Sequence, residues 1–158
     1  MVNTAQNCPC GSRKKYQYCC EKYLLGKALP ETAEQLMKSR YAAFCQGNIE
    51  YLIATLHPNK RTERDRQELT KTINNITWLN LTIIETNQGH KNDKVGFVEF
   101  VAAFKTTEIR QLHERSKFIK ANGKWFYVEG DILPDFIPNS NDKCWCGSGK
   151  KYKKCHST

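Results

Sequence analysis

The sequence predicts an α+β domain with a small metal-binding module attached at each end. Three observations predict it. Helical periodicity with cap signals fills residues 32 to about 76, and β-branched and aromatic runs separated by turn signals fill residues 78–129. A thirteen-residue pattern also occurs twice, once near each end of the chain.

Residues 8–20 read CPCGSRKKYQYCC and residues 144–156 read CWCGSGKKYKKCH. Both fit C-x-C-G-S-x-K-K-Y-x-x-C-[CH] without a gap. Seven of the eight cysteines lie in these two clusters, with about 120 residues between them, so the copies read as one module used twice around a separate domain. Zinc takes four sulfur or nitrogen ligands in a tetrahedron. Two cysteines one residue apart reach one metal only if the chain turns sharply, and Gly11 and Gly147 permit the positive φ of such a turn. The adjacent pairs Cys19-Cys20 and Cys155-His156 converge at a distorted helix end. Ser12 and Ser148 are expected to cap the short helix that carries the lysines and tyrosine. Histidine replaces cysteine as a zinc ligand but not in a disulfide, so the exchange between copies favours metal. The expectation is two structural zinc ions, one on Cys8, Cys10, Cys19 and Cys20 and one on Cys144, Cys146, Cys155 and His156.

Thr32-Ala-Glu-Gln35 has the form of a capping box, and Leu36, Met37, Arg40, Tyr41 and Phe44 then fall on one helical face. Gly47 is a stop signal and Asn48 a cap for a second helix, in which Ile49, Leu52, Ile53 and Leu56 keep the helical rhythm up to His57-Pro58. A charged third helix is expected from 62 to about 75, with Leu69, Ile73 and Ile76 as its apolar edge. Strands are expected over 78–86, 95–106, 109–121 and 124–129. Asn87-Gln-Gly89 and Asn122-Gly123 are the turn signals, the latter a strong hairpin signal. Helices followed by an antiparallel meander make an α+β domain. Pro134, Pro138 and residues 139–142 read as a linker, giving boundaries of 1–25, 30–137 and 141–158.

Composition sets outer limits. Hydrophobic residues are 39% of 158, enough for one packed domain and too many for a disordered chain. No apolar run approaches the ~20 residues that span a bilayer, and residues 1–7 are polar with no leader pattern, so membrane insertion is not expected and the expected compartment is cytoplasmic. The formal charge is +9. Seven thiolates and two dications together subtract three charges and leave about +6, which permits an anionic partner without requiring one.

The terminal modules resemble the SEC-C motif, named for the C-terminal tail of the SecA translocase motor, through their ligands and the Gly-Ser-x-Lys-Lys-Tyr insert. The resemblance implies a zinc-stabilised docking surface, since the motif in that tail binds zinc and docks on the SecB chaperone; it does not imply the same partner. Together with Lys38-Ser-Arg-Tyr-Ala-Ala-Phe44, Leu56-His-Pro58, Val98-Glu-Phe100, Leu112-His-Glu-Arg-Ser116 and Gly123-Lys-Trp-Phe-Tyr-Val-Glu-Gly130, the modules make nearly the whole chain resemble the YchJ family. That resemblance implies a nuclear transport factor 2-like cone in the middle, a curved sheet wrapped around helices, and implies no particular reaction.

A cone encloses a pocket. By alternation Phe97, Glu99, Val101 and Ala103 share one strand face and Leu112, Glu114, Ser116 and Phe118 another. Glu99 and Glu114 are therefore expected to point inward, with Arg40 as partner and His57 and Ser116 nearby. An inward carboxylate requires pairing or hydrogen bonds, so the group is either a buried structural network or a pocket floor. His113 is expected on the solvent side of its strand. Trp78, Trp125, Tyr127 and Cys45 read as core residues, and no residue carries a catalytic pattern.

Three functions fit. The first is a cytoplasmic adaptor whose knuckles dock a protein or ribosomal partner around a scaffold cone. The second is a small-molecule binder or enzyme using the pocket. The third is a nucleic-acid binder, because the modules mix Arg13, Lys14, Lys15, Lys150, Lys151, Lys153 and Lys154 with Tyr16, Tyr18, Trp145 and Tyr152. A homodimer through the open sheet is compatible with all three. The adaptor reading uses the most specific residues.

Overall fold

A computed structural model gives the architecture. It describes residue 3 and residues 5–157; Met1, Val2, Thr4 and Thr158, at the outer ends of the expected terminal modules, lie outside the described residues. Four helices, α1 (Glu21–Leu24), α2 (Ala33–Gln46), α3 (Ile49–Ala54) and α4 (Asp65–Asn75), precede four strands, β1 (Thr77–Gln88), β2 (Val95–Lys105), β3 (Ile109–Ala121) and β4 (Lys124–Ile132). Single 3₁₀ turns lie at Tyr16–Tyr18, Pro58–Lys60 and Tyr152–Lys154.

The helix ends form where their cap residues stand. Thr32 accepts the Gln35 N–H at 3.1 Å, while the Gln35 side chain accepts the N–H of Glu31, one residue earlier than a reciprocal box would place it. Gly47, at φ 72°, closes α2 with paired bonds from its own N–H to Phe44 and from Asn48 to Ala43, the Schellman arrangement. Asn48 then caps α3 by accepting the Tyr51 N–H at 3.0 Å. α4 starts three residues later than the sequence suggests, because Asp65 folds back on Thr62, accepting its N–H at 2.7 Å and its hydroxyl at 3.2 Å.

The strands form one antiparallel sheet in the order β1-β2-β3-β4. Asn122 and Gly123 both take positive φ, as the tight β3–β4 hairpin requires. α2 lies across one face of the sheet. Leu36, Met37 and Tyr41 pack there on Leu81, Val98, Phe100, Ala102, Phe118 and Trp125 to make the main core. Interior burial of this kind stabilises by about 25 cal/mol per Å² of apolar surface. β2 is covered on its other face as well, where Val101 and Ala103 lie under Trp145 of the C-terminal module. The 133–142 stretch carries no regular element but is held to β3: Gln111 exchanges two hydrogen bonds with the backbone of Phe136, at 2.7 and 3.2 Å.

Candidate metal centres and the central cavity

Both terminal modules fold the same way from the same residues. Cys8 N–H reaches Lys14 O at 2.8 Å, and Cys144 N–H reaches Lys150 O at the same distance. Gly11 (φ 85°) and Gly147 (φ 86°) make the turn between ligand pairs. Isolated bridges at Asn7–Lys15 and Lys143–Lys151 close each loop, and a 3₁₀ turn returns the second ligand pair to the first. The serines differ from expectation. The first residue before each turn is Lys15 or Lys151, with no side-chain cap. Ser12 and Ser148 instead accept the N–H of Lys14 and Lys150 and meet the Cys19 and Cys155 sulfurs at 3.1 and 3.4 Å. The position after each serine also takes positive φ, satisfied by Gly149 in one copy and occupied by Arg13 in the other.

The four donor atoms of each quartet all lie within 4.8 Å of one another, so each could hold a metal ion. In the N-terminal quartet Cys10–Cys19 and Cys19–Cys20 sulfurs are 3.6 and 3.9 Å apart. A tetrahedron with metal–sulfur bonds of about 2.3 Å has edges of about 3.8 Å, whereas a disulfide brings sulfurs to about 2.05 Å. In the C-terminal quartet Cys146–Cys155 is 3.6 Å, and His156 turns Nδ1 towards Cys144 and Cys155 at 3.2 and 3.3 Å. The donor set and its spacing fit a four-coordinate metal with no open position. Without a cation the thiols share protons unevenly. Hydrogen bonds from Cys20 and Cys8 hold Cys10 down at about 2; the bond to Cys10 pushes Cys8 up to about 12 and Cys20 higher still. A dication removes that conflict by favouring every thiolate.

The surroundings of the two quartets differ. Cys8, Cys10 and Cys20 are 4, 2 and 1% exposed and share a small core with Tyr16 and Ala42 of α2. Cys155 and His156 are only half-buried; their module rests through Trp145 on the outer sheet face, and the Trp145 and His156 rings lie 4.7 Å apart. Both modules nonetheless meet the edge strand β1 at neighbouring residues. A Cβ on Gly11 would lie 3.2 Å from Leu81 O, one on Gly147 2.8 Å from Asn80 Cβ, and Asn80 Nδ2 donates to Trp145 O at 3.2 Å. Arg13, Lys14, Lys15, Lys150, Lys151, Lys153 and Lys154 are all exposed.

The pocket residues divide between the two faces. Arg40, Glu114 and Ser116 lie together on the helix face, lining a cavity of about 480 Å³. Arg40 is 8% exposed; its Nη1 donates to Leu52 O at 2.8 Å and Thr55 Oγ1 at 2.7 Å, and its guanidinium stacks on Tyr127. Burial lowers Arg40 to about 10, which leaves it charged at neutral pH. Glu114 accepts the Ser116 hydroxyl at 2.5 Å and fills the space left by Gly130, where a Cβ would clash with its carboxyl; burial raises its pKa. Glu99 is not in this group. The β2–β3 register pairs Glu99 with Arg115 and Phe100 with Glu114, so Glu99 points to the outer face and meets His113 Nε2 at 3.1 Å. His57 is also outside the cavity: its ring packs on Phe126 and Nδ1 accepts the Asn59 N–H. His113 stands opposite Glu114 as expected, but is half-buried under the 133–142 stretch, with Nδ1 2.6 Å from Pro134 O. Sequence reasoning missed this clamp and the Asn80 contact. The signal available for the former was hairpin length, which sets the register and puts Glu99 and Glu114 on opposite faces.

Comparison with known proteins agrees with this architecture. The family model "YchJ, middle NTF2-like domain" matches residues 32–130, and the SEC-C motif matches residues 6–22 and 141–157. A UPF0225 protein of Serratia proteamaculans (strain 568) is 44% identical over 151 residues, covering 94% of this chain and 96% of that one. The solution structure of a SEC-C motif containing protein from Rhodopseudomonas palustris is similar with TM-score 0.75 and 32% identity, over 82% of this chain and 100% of that one. The crystal structure of a SEC-C motif containing protein from Psychrobacter arcticus gives TM-score 0.69 and 27% identity, over 99% and 98%. No helix among the described residues is long and apolar enough to cross a membrane. A nuclear transport factor 2-like middle flanked by two SEC-C motifs, in a chain 44% identical to a UPF0225 protein, places this chain in the YchJ (UPF0225) family.

Proposed function

We propose that the protein is a cytoplasmic adaptor in which two structural zinc ions stiffen the terminal knuckles into one docking surface for a protein partner, ribosomal proteins included, with the cone as scaffold. Zinc is the metal favoured by Cys₄ and Cys₃His donor sets closed to further ligands. The observation that supports the reading is that both basic knuckles meet one edge strand at adjacent residues, Leu81 for the N-terminal one and Asn80 for the C-terminal one. Two modules held at fixed spacing bind one partner with the second contact at high effective concentration. The same geometry bears on self-association: a homodimer through the sheet would need the outer face that Trp145 already covers at Val101 and Ala103.

The test is affinity isolation from the native cell with nuclease-treated extract. The intact chain retains a defined protein, and both Cys155→Ser and removal of residues 141–158 reduce that protein's recovery far beyond the loss of one independent site. Retention that vanishes on nuclease treatment and weakens steeply with salt would replace the adaptor with a nucleic-acid binder. Retention unchanged by loss of the C-terminal module would contradict the joint surface.

A further inference from the structure

The cavity between α2, α4 and the sheet belongs to no part of the adaptor reading. Its volume of about 480 Å³ falls in the range of small-molecule sites. Its walls are mostly apolar and aromatic. Trp78 stands among Tyr41, Phe44 and Phe104 at ring separations of 6.0, 5.9 and 5.7 Å, and Phe100 and Leu112 continue the floor. Leu69 of α4 and Ile76 just after it form the roof; both are half-buried, and α4 contains no fully buried residue.

Two donors on this lining lack protein acceptors among the described residues. Arg40 uses only Nη1, on Leu52 O and Thr55 Oγ1, which leaves its Nε–Nη2 edge free. Trp78 Nε1 is shut from water with no partner. The nearest acid, Glu114, forms no ion pair with Arg40 within 4.0 Å, and one of its oxygens already accepts from Ser116. Asp65 and Glu68 stand at the α4 rim; Asp65 is engaged by Thr62, and Glu68 is exposed, where salt screens it. Glu114 attracts the Arg40 charge across the cavity without a direct hydrogen bond to it, and the open edge of a guanidinium matches a carboxylate with two parallel bonds.

We propose that this cavity binds a small monocarboxylate with an apolar, ring-sized body, the carboxylate seated on the Nε–Nη2 edge of Arg40. The apolar body lies among Trp78, Phe44 and Phe104. One cation among mostly apolar walls, with Glu114 tied to Ser116, favours a single negative charge on a hydrophobic molecule over a polyphosphate or a sugar.

The test uses the full chain with 2-naphthoate as probe and 2-naphthamide as the uncharged control of the same shape. Calorimetric titration should find the acid bound at least about tenfold more tightly than the amide, as a charge-assisted pair requires. Nitrogen–proton spectra should show the Trp78 indole signal shift on addition. Arg40→Met should abolish the preference for the acid. Leu69→Trp, which fills the chamber from its half-buried roof, should abolish binding of both probes with the strands intact, and it decides the matter where Arg40→Met does not fold. Equal affinity for acid and amide, no binding of the acid, or binding undiminished in Leu69→Trp would overturn the proposal and leave the docking surface untouched.

Discussion

The two knuckles repeat one pattern, yet the chain embeds them differently. The N-terminal quartet is part of the interior: three of its residues, Cys8, Cys10 and Cys20, are buried in one cluster with Tyr16 and with Ala42 of α2. The C-terminal quartet is an attachment, half-exposed at Cys155 and His156, resting on a sheet that is already closed on its other face by the main core. A local motif sets the coordination geometry; what lies behind it decides how much of the fold depends on the metal.

The largest expected effect follows from that asymmetry. Cys20→Ser should destabilise the whole chain by more than about 4 kcal/mol in urea unfolding followed by circular dichroism, since losing a structural metal is among the few mechanisms that large. Cys155→Ser should cost about 1–2 kcal/mol and leave the cone's transition intact. Equal losses would break the comparison. Stepwise chelation sharpens it: the half-exposed site should empty first, with a change in Trp145 emission during loss of the first metal ion and not the second, because Trp145 lies 4.7 Å from the His156 ring.

A smaller effect separates the cavity from both knuckles. Burial raises the Glu114 pKa in the folded state. Wild type and Glu114→Gln therefore differ least at low pH, where the carboxyl is protonated folded and unfolded alike. As pH rises through the raised folded-state value, the wild-type fold loses stability that the glutamine variant keeps. Urea unfolding of both between about pH 5 and 8 should show the gap moving in favour of the glutamine variant with rising pH; the knuckles are common to both and cancel. A gap moving the other way would mean that attraction to Arg40 outweighs burial.

The smallest effect tests the pattern itself. Arg13 holds φ 66° where the second copy has Gly149 at φ 81°. The left-handed conformation costs a side-chain-bearing residue roughly 1–2 kcal/mol, offset in part by the extra unfolded-state freedom of glycine. Arg13→Gly should raise stability by about 0.5 kcal/mol, and Gly149→Ala should lower it by about 1 kcal/mol, both read as midpoint shifts in urea.

Much of the architecture was legible because it rests on local rules. Thr32, Gly47, Asn48 and Asn122-Gly123 each act at the position their chemistry suggests. The quartets were legible because spacing alone brings their donors together. What was not legible depends on tertiary context. Alternation grouped Glu99 with Val101 and Ala103 correctly, but β2 is buried on both faces, one by α2 and one by a knuckle, so hydrophobicity could not tell which face held the cavity. Nor do the serines' neighbours in sequence reveal that a sulfur, brought back seven residues later, takes the hydroxyl expected at a helix cap.

Native mass spectrometry of protein isolated from its own cell tests the central claim most directly, that each end of the chain is shaped by one metal ion. The intact chain should carry two zinc ions, and Cys155→Ser should carry one. A metal-free mass lowered by the hydrogens of disulfide bonds would contradict the coordination geometry and the docking surface built on it.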